Sequence, residues 1–295
     1  MASNMSTAVL ESGKKVSQLH PCFGAEAHNK FGRLHLPVSP VCNIQCRFCN
    51  RSSNLDEERP GVSSGILSPG DAVDTVRRAL DLCPEITVVG IAGPGDTLAN
   101  DSALEAFRAV HDVYPNLIKC LSTNGLMLPD RAEDLVEAGV STVTVTVNAV
   151  DPEILSRVVS HIIYRGRVLE GTDMRVLTQR QLEGIRAMSA LGAMVKVNTV
   201  LIPGVNDNHI EDIARAAAAA GANIYNIIPL IPQREFIGTD APDCDMLRAA
   251  KDAGARHIEV FHHCKHCRAD ACGIPGVSDF SRKLYGGGME TFSHG

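Results

Sequence analysis

Tryptophan is absent from this 295-residue chain, and aromatic residues make up only 4% of it. Leu, Ile, Val and Ala must therefore fill the interior. There is no apolar run of about 18 residues, which excludes a membrane-spanning helix. The stretch Met1 to Lys15 lacks the apolar segment of a signal peptide, so the cytoplasm is the expected compartment. Basic residues are not in excess: 28 Lys and Arg stand against 34 Asp and Glu, a formal net charge of −6. That balance leaves no electrostatic footprint for nucleic acid. Internal repeats are missing, and no Pro- or Ser-rich linker divides the chain. The hydrophobic content of 44% suffices for one large α/β domain or two small ones.

What is present is an alternation of strand and helix patterns. Apolar runs suited to buried parallel strands occur at 33–38, 86–91, 117–122, 142–147, 195–201 and 223–228. Amphipathic stretches at 70–82, 102–113, 129–138, 178–191 and 208–220 fall between them. Ser68-Pro69 before the first and Gly221 after the last are start and stop signals. Repeated βα units imply a parallel sheet curled into a barrel or partial barrel, with function at the C-terminal strand ends. A doubly wound open sheet competes with it, and spacing alone does not separate the two. Residues 1–18 are expected to fray, and the last twelve, with Gly286-Gly287-Gly288, to form a flexible tail.

Ten cysteines in such a chain need a reason. A reducing compartment disfavours disulfides, so metal binding or catalysis is the better reading. Cys42, Cys46 and Cys49 lie in PVCNIQCRFCNR, just after the first strand. CxxxCxxC offers three thiolates to an iron–sulfur cluster from one loop and leaves one iron open. A zinc knuckle is the bland alternative, but structural zinc wants four ligands. IAGPGD ends the second strand with small residues, Gly93 and Gly95, that would let backbone approach a ligand amine, and with Asp96, whose carboxylate could meet an ammonium. Thr146 and Asn148 end VTVTVN, and Asn198 sits in VKVNTVLIPG, where either asparagine could reach a ribose or carboxylate.

A cysteine triplet after the first strand, with Phe48 as its aromatic residue, resembles the radical S-adenosylmethionine (SAM) superfamily. The resemblance implies a partial (β/α)6 barrel whose open iron chelates the amino and carboxylate groups of SAM. Reductive cleavage of the sulfonium would then give a 5′-deoxyadenosyl radical, chemistry that no side chain supplies.

Further motifs narrow the resemblance. HPCF, RPGV, STNGLMLPD, YRG, RQLEG, KVNTVLIPGVND and HCKHCRADACG follow one another between residues 20 and 275. This ordered set resembles the nitrogenase-cofactor maturases, the NifB family, without the NifX-like extension of some members. The family's reaction fuses two [4Fe-4S] units into an eight-iron, carbide-centred precursor, with SAM donating a methyl group and a second SAM supplying the radical. Three [4Fe-4S] clusters are thereby implied: one binding SAM, two as substrate.

The resemblance assigns Cys22, His35 and Cys120 to the first substrate cluster, and Cys264 and Cys267 to the second. By itself a strand histidine is more often a satisfied core residue, and a lone cysteine a small core residue. His35 alternates with Leu34 and Leu36 and so faces away from them. Glu57 is the candidate cluster contact or proton relay, against a solvated charge in an acidic run. Some members carry a cysteine where this chain has Asn54. Cys83, Cys244 and Cys272 read as bystanders, and His263 and His266 as loop residues. Residues 1–32 are expected to form an N-terminal cluster-binding arm, 33–231 the barrel, and 232–295 a C-terminal cluster-binding segment and tail. The implied partners are an iron–sulfur cluster donor, an electron donor such as a ferredoxin or flavodoxin, and a downstream carrier or scaffold. Two other readings compete: a radical SAM enzyme with auxiliary clusters acting on an organic or peptide substrate, and a nonenzymatic iron–sulfur carrier, which would have no use for polar strand ends.

Overall fold

The computed structural model describes residues 16–286. Six parallel strands follow one another in space in their chain order: β1 Gly32–His35, β2 Ile86–Ile91, β3 Ile118–Thr123, β4 Val140–Thr146, β5 Met194–Leu201 and β6 Ile224–Pro229. Sequential order is what short right-handed βα crossovers produce. The helices between and after them are α1 Ala72–Leu82, α2 Ser102–Val113, α3 Leu128–Glu137, α4 Pro152–Val158, α5 Arg175–Ala190, α6 Ile210–Ala219 and α7 Cys244–Ala255. Two short strands complete the sheet. β7, Glu259–Val260, pairs in parallel with β6; β8, Cys272–Gly273, pairs antiparallel with β1. The sheet stays open between these edges, so the barrel is partial. Residues of all six parallel strands nevertheless line one cavity, and the sheet therefore curls around it.

Alternation sorts the strand residues to two sides. Leu34, Leu36, Val89, Ile91, Leu121, Val143, Val145, Val195 and Val197 enter the core shared with the helices, where Phe107, Leu135, Ile185 and Ile213 meet them. Burial of each such side chain contributes about 1.5–3 kcal/mol. The opposite parity faces inward and mixes polar residues such as His35, Thr144, Lys196 and Asn198 with Val88, Gly90, Val200 and Ile228. β1 stops at His35, two residues short of the expected length of its pattern, because Pro37 has no N–H for the ladder.

Two elements lie outside the barrel pattern. Ile44–Cys46 pairs antiparallel with 159–164, which in turn pairs with 167–169. Ile44, Leu155, Val158, Val159, Ile162, Met174 and Leu177 form a second apolar cluster, and Cys42, Cys46 and Phe48 pack against it. The cysteine loop thus stands on an apolar platform. α4 enters that platform under an Asp151 cap, whose carboxylate accepts from the N–H groups of Glu153 and Ile154, with Pro152 in the first turn.

The second element is the C-terminal return. Chain 268–273 runs back along β1: the N–H of His35 donates to Ala271 O at 2.7 Å, and that of Ala269 to Val62 O at 2.8 Å. Arg268 and Asp270, both buried, pair at 2.9 Å. Arg268 also donates to the carbonyls of Glu57 and Asn54, and Asp270 accepts from the Ser64 hydroxyl at 2.7 Å. This clamp ties the 264–267 cysteines to the barrel. Arg268→Ala strands the Asp270 charge, and removing one partner of a buried pair costs about 3–5 kcal/mol. The expected result is a correspondingly lower denaturant midpoint; a surface-like loss under 1 kcal/mol would mean that the clamp is not closed in solution.

Val16 is buried against Phe23, Ile224 and Phe261, so the arm is packed from residue 16 onward. Against the fraying expected of residues 1–18 and the flexible tail expected of 284–295, Val16 is packed, and Leu284 and Tyr285 are buried in a short helix, Ser281–Tyr285; 1–15 and 287–295 lie outside the described residues. Among the described residues no helix is long and apolar enough to cross a membrane.

Candidate functional site

One cavity of about 360 Å³ occupies the inside of the curled sheet. Its walls carry Cys22, His35, Cys42, Cys46, Cys49, Cys120, Cys264 and Cys267, together with Phe48, Gly95, Asp96, Thr146, Asn148 and Asn198. Residues from 22 to 267 in the chain thus meet in one space. Gly93 and Glu57 are not among the lining residues.

Strand register gives the cavity levels. His35, Gly90, Cys120 and Thr142 are lateral neighbours in a low row, one step above Arg33 and Val88. Ser122, Thr144 and Lys196 form the next inward row, and Thr146 and Asn198 the one above it. Four residues of β5 separate Met194, beside Thr142, from Asn198, or about 13 Å along an extended strand. The upper end, at the C-terminal strand ends, is where the triplet loop sits.

At that end Asn124 Nδ2 donates to Asn43 Oδ1 at 2.7 Å and lies 3.9 Å from Cys42 Sγ. The N–H of Cys49 donates to Cys46 O at 3.0 Å. Burial pushes the Cys42 thiol up to about 12 and raises those of Cys46 and Cys49 as well. Iron ligation requires thiolates, so loading the loop releases protons.

Asp96 lies on the cavity wall and is held by the adjoining turn. Its oxygens accept from the Thr123 hydroxyl and from the N–H groups of Leu98 and Asn124, the last at 2.6 Å. Three donors leave at least one of the roughly four lone-pair sites of an ionised carboxylate open. Asp96 therefore orients the turn that presents Asn124 and still faces the cavity, and burial raises its pKa. Gly95 is also required by close packing. A Cβ there would come within 2.2 Å of the Val41 carbonyl, because the N–H of Asp96 donates to that oxygen at 2.8 Å. IAGPGD therefore packs against the segment leading into the triplet. Gly93, at φ +123°, turns that loop from outside the cavity.

Asn148 is fixed by accepting from Val200 N–H at 2.9 Å, and Asn198 by accepting from Asn226 Nδ2 at 3.0 Å. Both leave their amide N–H groups for a ligand. Gln181, which the sequence reading passed over, is buried on the same wall. Its Nε2 donates to Asn124 O and Thr146 O, while Oε1 is buried with no hydrogen-bond partner. An orphaned acceptor at this level fits a polar ligand with donors to offer.

At the lower end the His35 Nδ1–H donates to the Arg268 carbonyl at 2.9 Å. A carbonyl only accepts, so the proton is on Nδ1 and the Nε2 lone pair is left for the cavity. This is the arrangement of a metal-binding imidazole and its outer partner. Burial holds its pKa down to about 4, so the ring is neutral. Burial raises the Cys22 thiol to about 12 against the lowering effect of Lys196, with Cys267 adding to the rise. His266, at φ +52°, bends the CKHC segment, and Cys264, His266 and Cys267 all line the wall. Gly90 makes room for the His35 ring: a Cβ there would lie 3.1 Å from Cδ2. Gly90→Ala should press on the ring and shift the His35 imidazole resonances; unchanged resonances would show that the ring has slack.

Glu57 stays outside. It accepts from Arg59 Nε at 2.6 Å and from Asn54 Nδ2 at 3.1 Å, while Arg59 itself reaches the cavity wall. Glu57 thus meets the cavity only through Arg59, which it holds. Cys83 and Cys272 are buried beside each other in the core, and Cys244 is exposed on α7. Among the described residues no three His, Cys, Asp or Glu side chains converge tightly enough to hold a single metal ion; the cysteines surround the cavity instead.

Residues 36–217 match the radical SAM superfamily. Over 282 residues the chain is 44% identical to the FeMo cofactor biosynthesis protein NifB of Methanocaldococcus infernus, covering 94% of this chain and 93% of that one. The chain belongs to the NifB family. Relatives of the same name from Klebsiella pneumoniae and Azotobacter vinelandii are 43% and 40% identical over 87% and 88% of this chain, which spans 57% and 53% of their length. Two solved structures share the fold. A radical SAM methyltransferase from Sphaerobacter thermophilus aligns with a TM-score of 0.54 at 19% identity, covering 78% of this chain and 64% of that one. Methylornithine synthase gives 0.53 at 14%, covering 85% and 68%. As a family member this is a radical SAM enzyme, which uses a [4Fe-4S] cluster and SAM. Cys42, Cys46 and Cys49, three thiols in one loop beside polar strand ends, fit that pair.

Proposed function

We propose that this enzyme fuses two [4Fe-4S] units and inserts a SAM-derived carbon, giving the eight-iron precursor of the nitrogenase cofactor. The observation that carries the reading is the shared cavity. The triplet at its mouth and Cys22, His35, Cys120, Cys264 and Cys267 lower down line one space. The cluster bound at Cys42, Cys46 and Cys49 would supply reductive cleavage of SAM. The protein would do the rest by placement. Asn148, Asn198 and Gln181 offer hydrogen bonds to the methionine and ribose portions of SAM. Leu155, Val159, Leu177 and Ile228 give the adenosyl group an apolar wall that excludes water. His35 and the lower cysteines would hold the substrate iron–sulfur units below that wall, so that a methyl group or radical released at the mouth meets them without crossing solvent. Few ligands per substrate unit suit a cargo that has to leave. Three [4Fe-4S] positions, a cluster donor, a ferredoxin- or flavodoxin-like electron donor and a downstream scaffold belong to this reading.

The alternative, a radical SAM enzyme with auxiliary clusters and an organic substrate, uses the lower cysteines only for electron transfer. Methyl-labelled SAM separates the two. Carbon from the label should co-purify with protein-bound iron under native anaerobic conditions and leave the protein when acid dissolves the clusters, alongside 5′-deoxyadenosine formation. Label recovered only in small organic molecules would overturn the proposal.

A further inference from the structure

The lower half of the cavity carries two buried cations, Arg33 below the level of His35 and Lys196, which opens KVNTVLIPGVND, one row above it. Lys196, 6% exposed, donates from Nζ to the Cys22 carbonyl at 3.1 Å and sits over the rings of Phe23 and Phe261, at 4.8 and 5.4 Å. Arg33, 8% exposed, donates to the Gly273 carbonyl at 2.6 Å and to Cys267 Sγ at 3.2 Å, and its Nε is buried without a partner. Among the described residues neither has a carboxylate oxygen in direct ion-pair contact; Asp279 acts on Arg33 from a distance. Both line the cavity with Cys22, His35, Cys120 and Cys267.

Burying a cation is costly unless a counter-charge meets it. Ring faces and carbonyls offset part of that cost for Lys196. The rest calls for an anion in the cavity, and a bare divalent ion would add to the positive charge. Charge counting identifies a suitable one. Two oxidised [4Fe-4S] cores, each 2+, bound by the thiolates of Cys22, Cys120, Cys264 and Cys267 and by neutral His35, come to zero. One electron on each core leaves two negative charges against two fixed positive ones.

We propose that Arg33 and Lys196 are positioning residues that bias the substrate iron–sulfur units toward their reduced state and help retain them. The inference rests on the function proposed above. Fixed positive charge near a cluster stabilises the added electron, as charge and hydrogen bonds to sulfur do in iron–sulfur proteins generally. The triplet is farther up the strands and should feel them less.

The test uses the reconstituted full-length enzyme, titrated electrochemically while the paramagnetic signals of its clusters are followed. Lys196→Met should move the substrate-cluster midpoint to a more negative potential and leave the SAM-responsive signal in place. Lys196→Arg, which keeps the charge, should restore the wild-type midpoint. Chelator release should be faster in Lys196→Met by about 10- to 100-fold, the usual range for lost outer contacts. If Lys196→Met loads poorly, recovery of loading by Lys196→Arg but not by Lys196→Gln supports the charge role, and equal loading by both overturns it. An unmoved substrate midpoint in loaded Lys196→Met, or an equal shift of both cluster types, also overturns it. Wild-type enzyme that holds no iron beyond the SAM-binding cluster would instead overturn the functional reading itself.

Discussion

Replacing Cys42, Cys46 and Cys49 together by Ala should abolish 5′-deoxyadenosine formation. The three thiols share one loop, anchored by pairing of Ile44–Cys46 with 159–164 and by Asn124. Remove the sulfurs and the loop keeps its backbone contacts, so the barrel should fold while its cluster is lost. The loss should be complete rather than graded, because no other donor among the described residues flanks that end of the cavity in a comparable loop. Product analysis under dithionite reads the outcome directly. Reductive SAM cleavage by the triple variant would refute the assignment.

The second large effect is expected at Cys264 and Cys267. Their joint replacement by Ala should remove one cubane, about four irons per chain by thiolate ligation, and leave the SAM-responsive cluster. The fold should hold, because the anchor of this segment is the buried Arg268–Asp270 pair and the β8 pairing, not the thiols. Iron stoichiometry together with the spectral response to SAM is the measurement. An unchanged iron count would remove both residues from the ligand set.

Much of this was legible in the chain itself. The runs at 86–91 and 102–113 coincide with β2 and α2 residue for residue, because burial on both faces of a strand and on one face of a helix writes an unambiguous period. Alternation around His35 also pointed to the cavity side. The same parity rule would have found Arg33, two residues before His35, and Lys196, two before Asn198. Each was passed over as a charge inside an apolar strand, when shared parity with a candidate ligand was the signal. Asp151-Pro152 was a readable cap for α4. β8 was not readable: two residues carry no period, and their place depends on a buried ion pair formed across the fold. Nor could the sequence tell that Asp96 accepts hydrogen bonds from the turn at 123–124, or that Glu57 pairs with Arg59 and does not line the cavity.

The claim that one cavity joins SAM cleavage to cluster assembly is tested most directly by handing its product to a cofactor-free nitrogenase. Enzyme reconstituted with iron and sulfide, then supplied with SAM and reductant, should yield a product that restores activity in the presence of the downstream assembly components. Omission of SAM should abolish the restoration. Steady 5′-deoxyadenosine formation with no restoration, under conditions where a known precursor restores activity, would contradict the account.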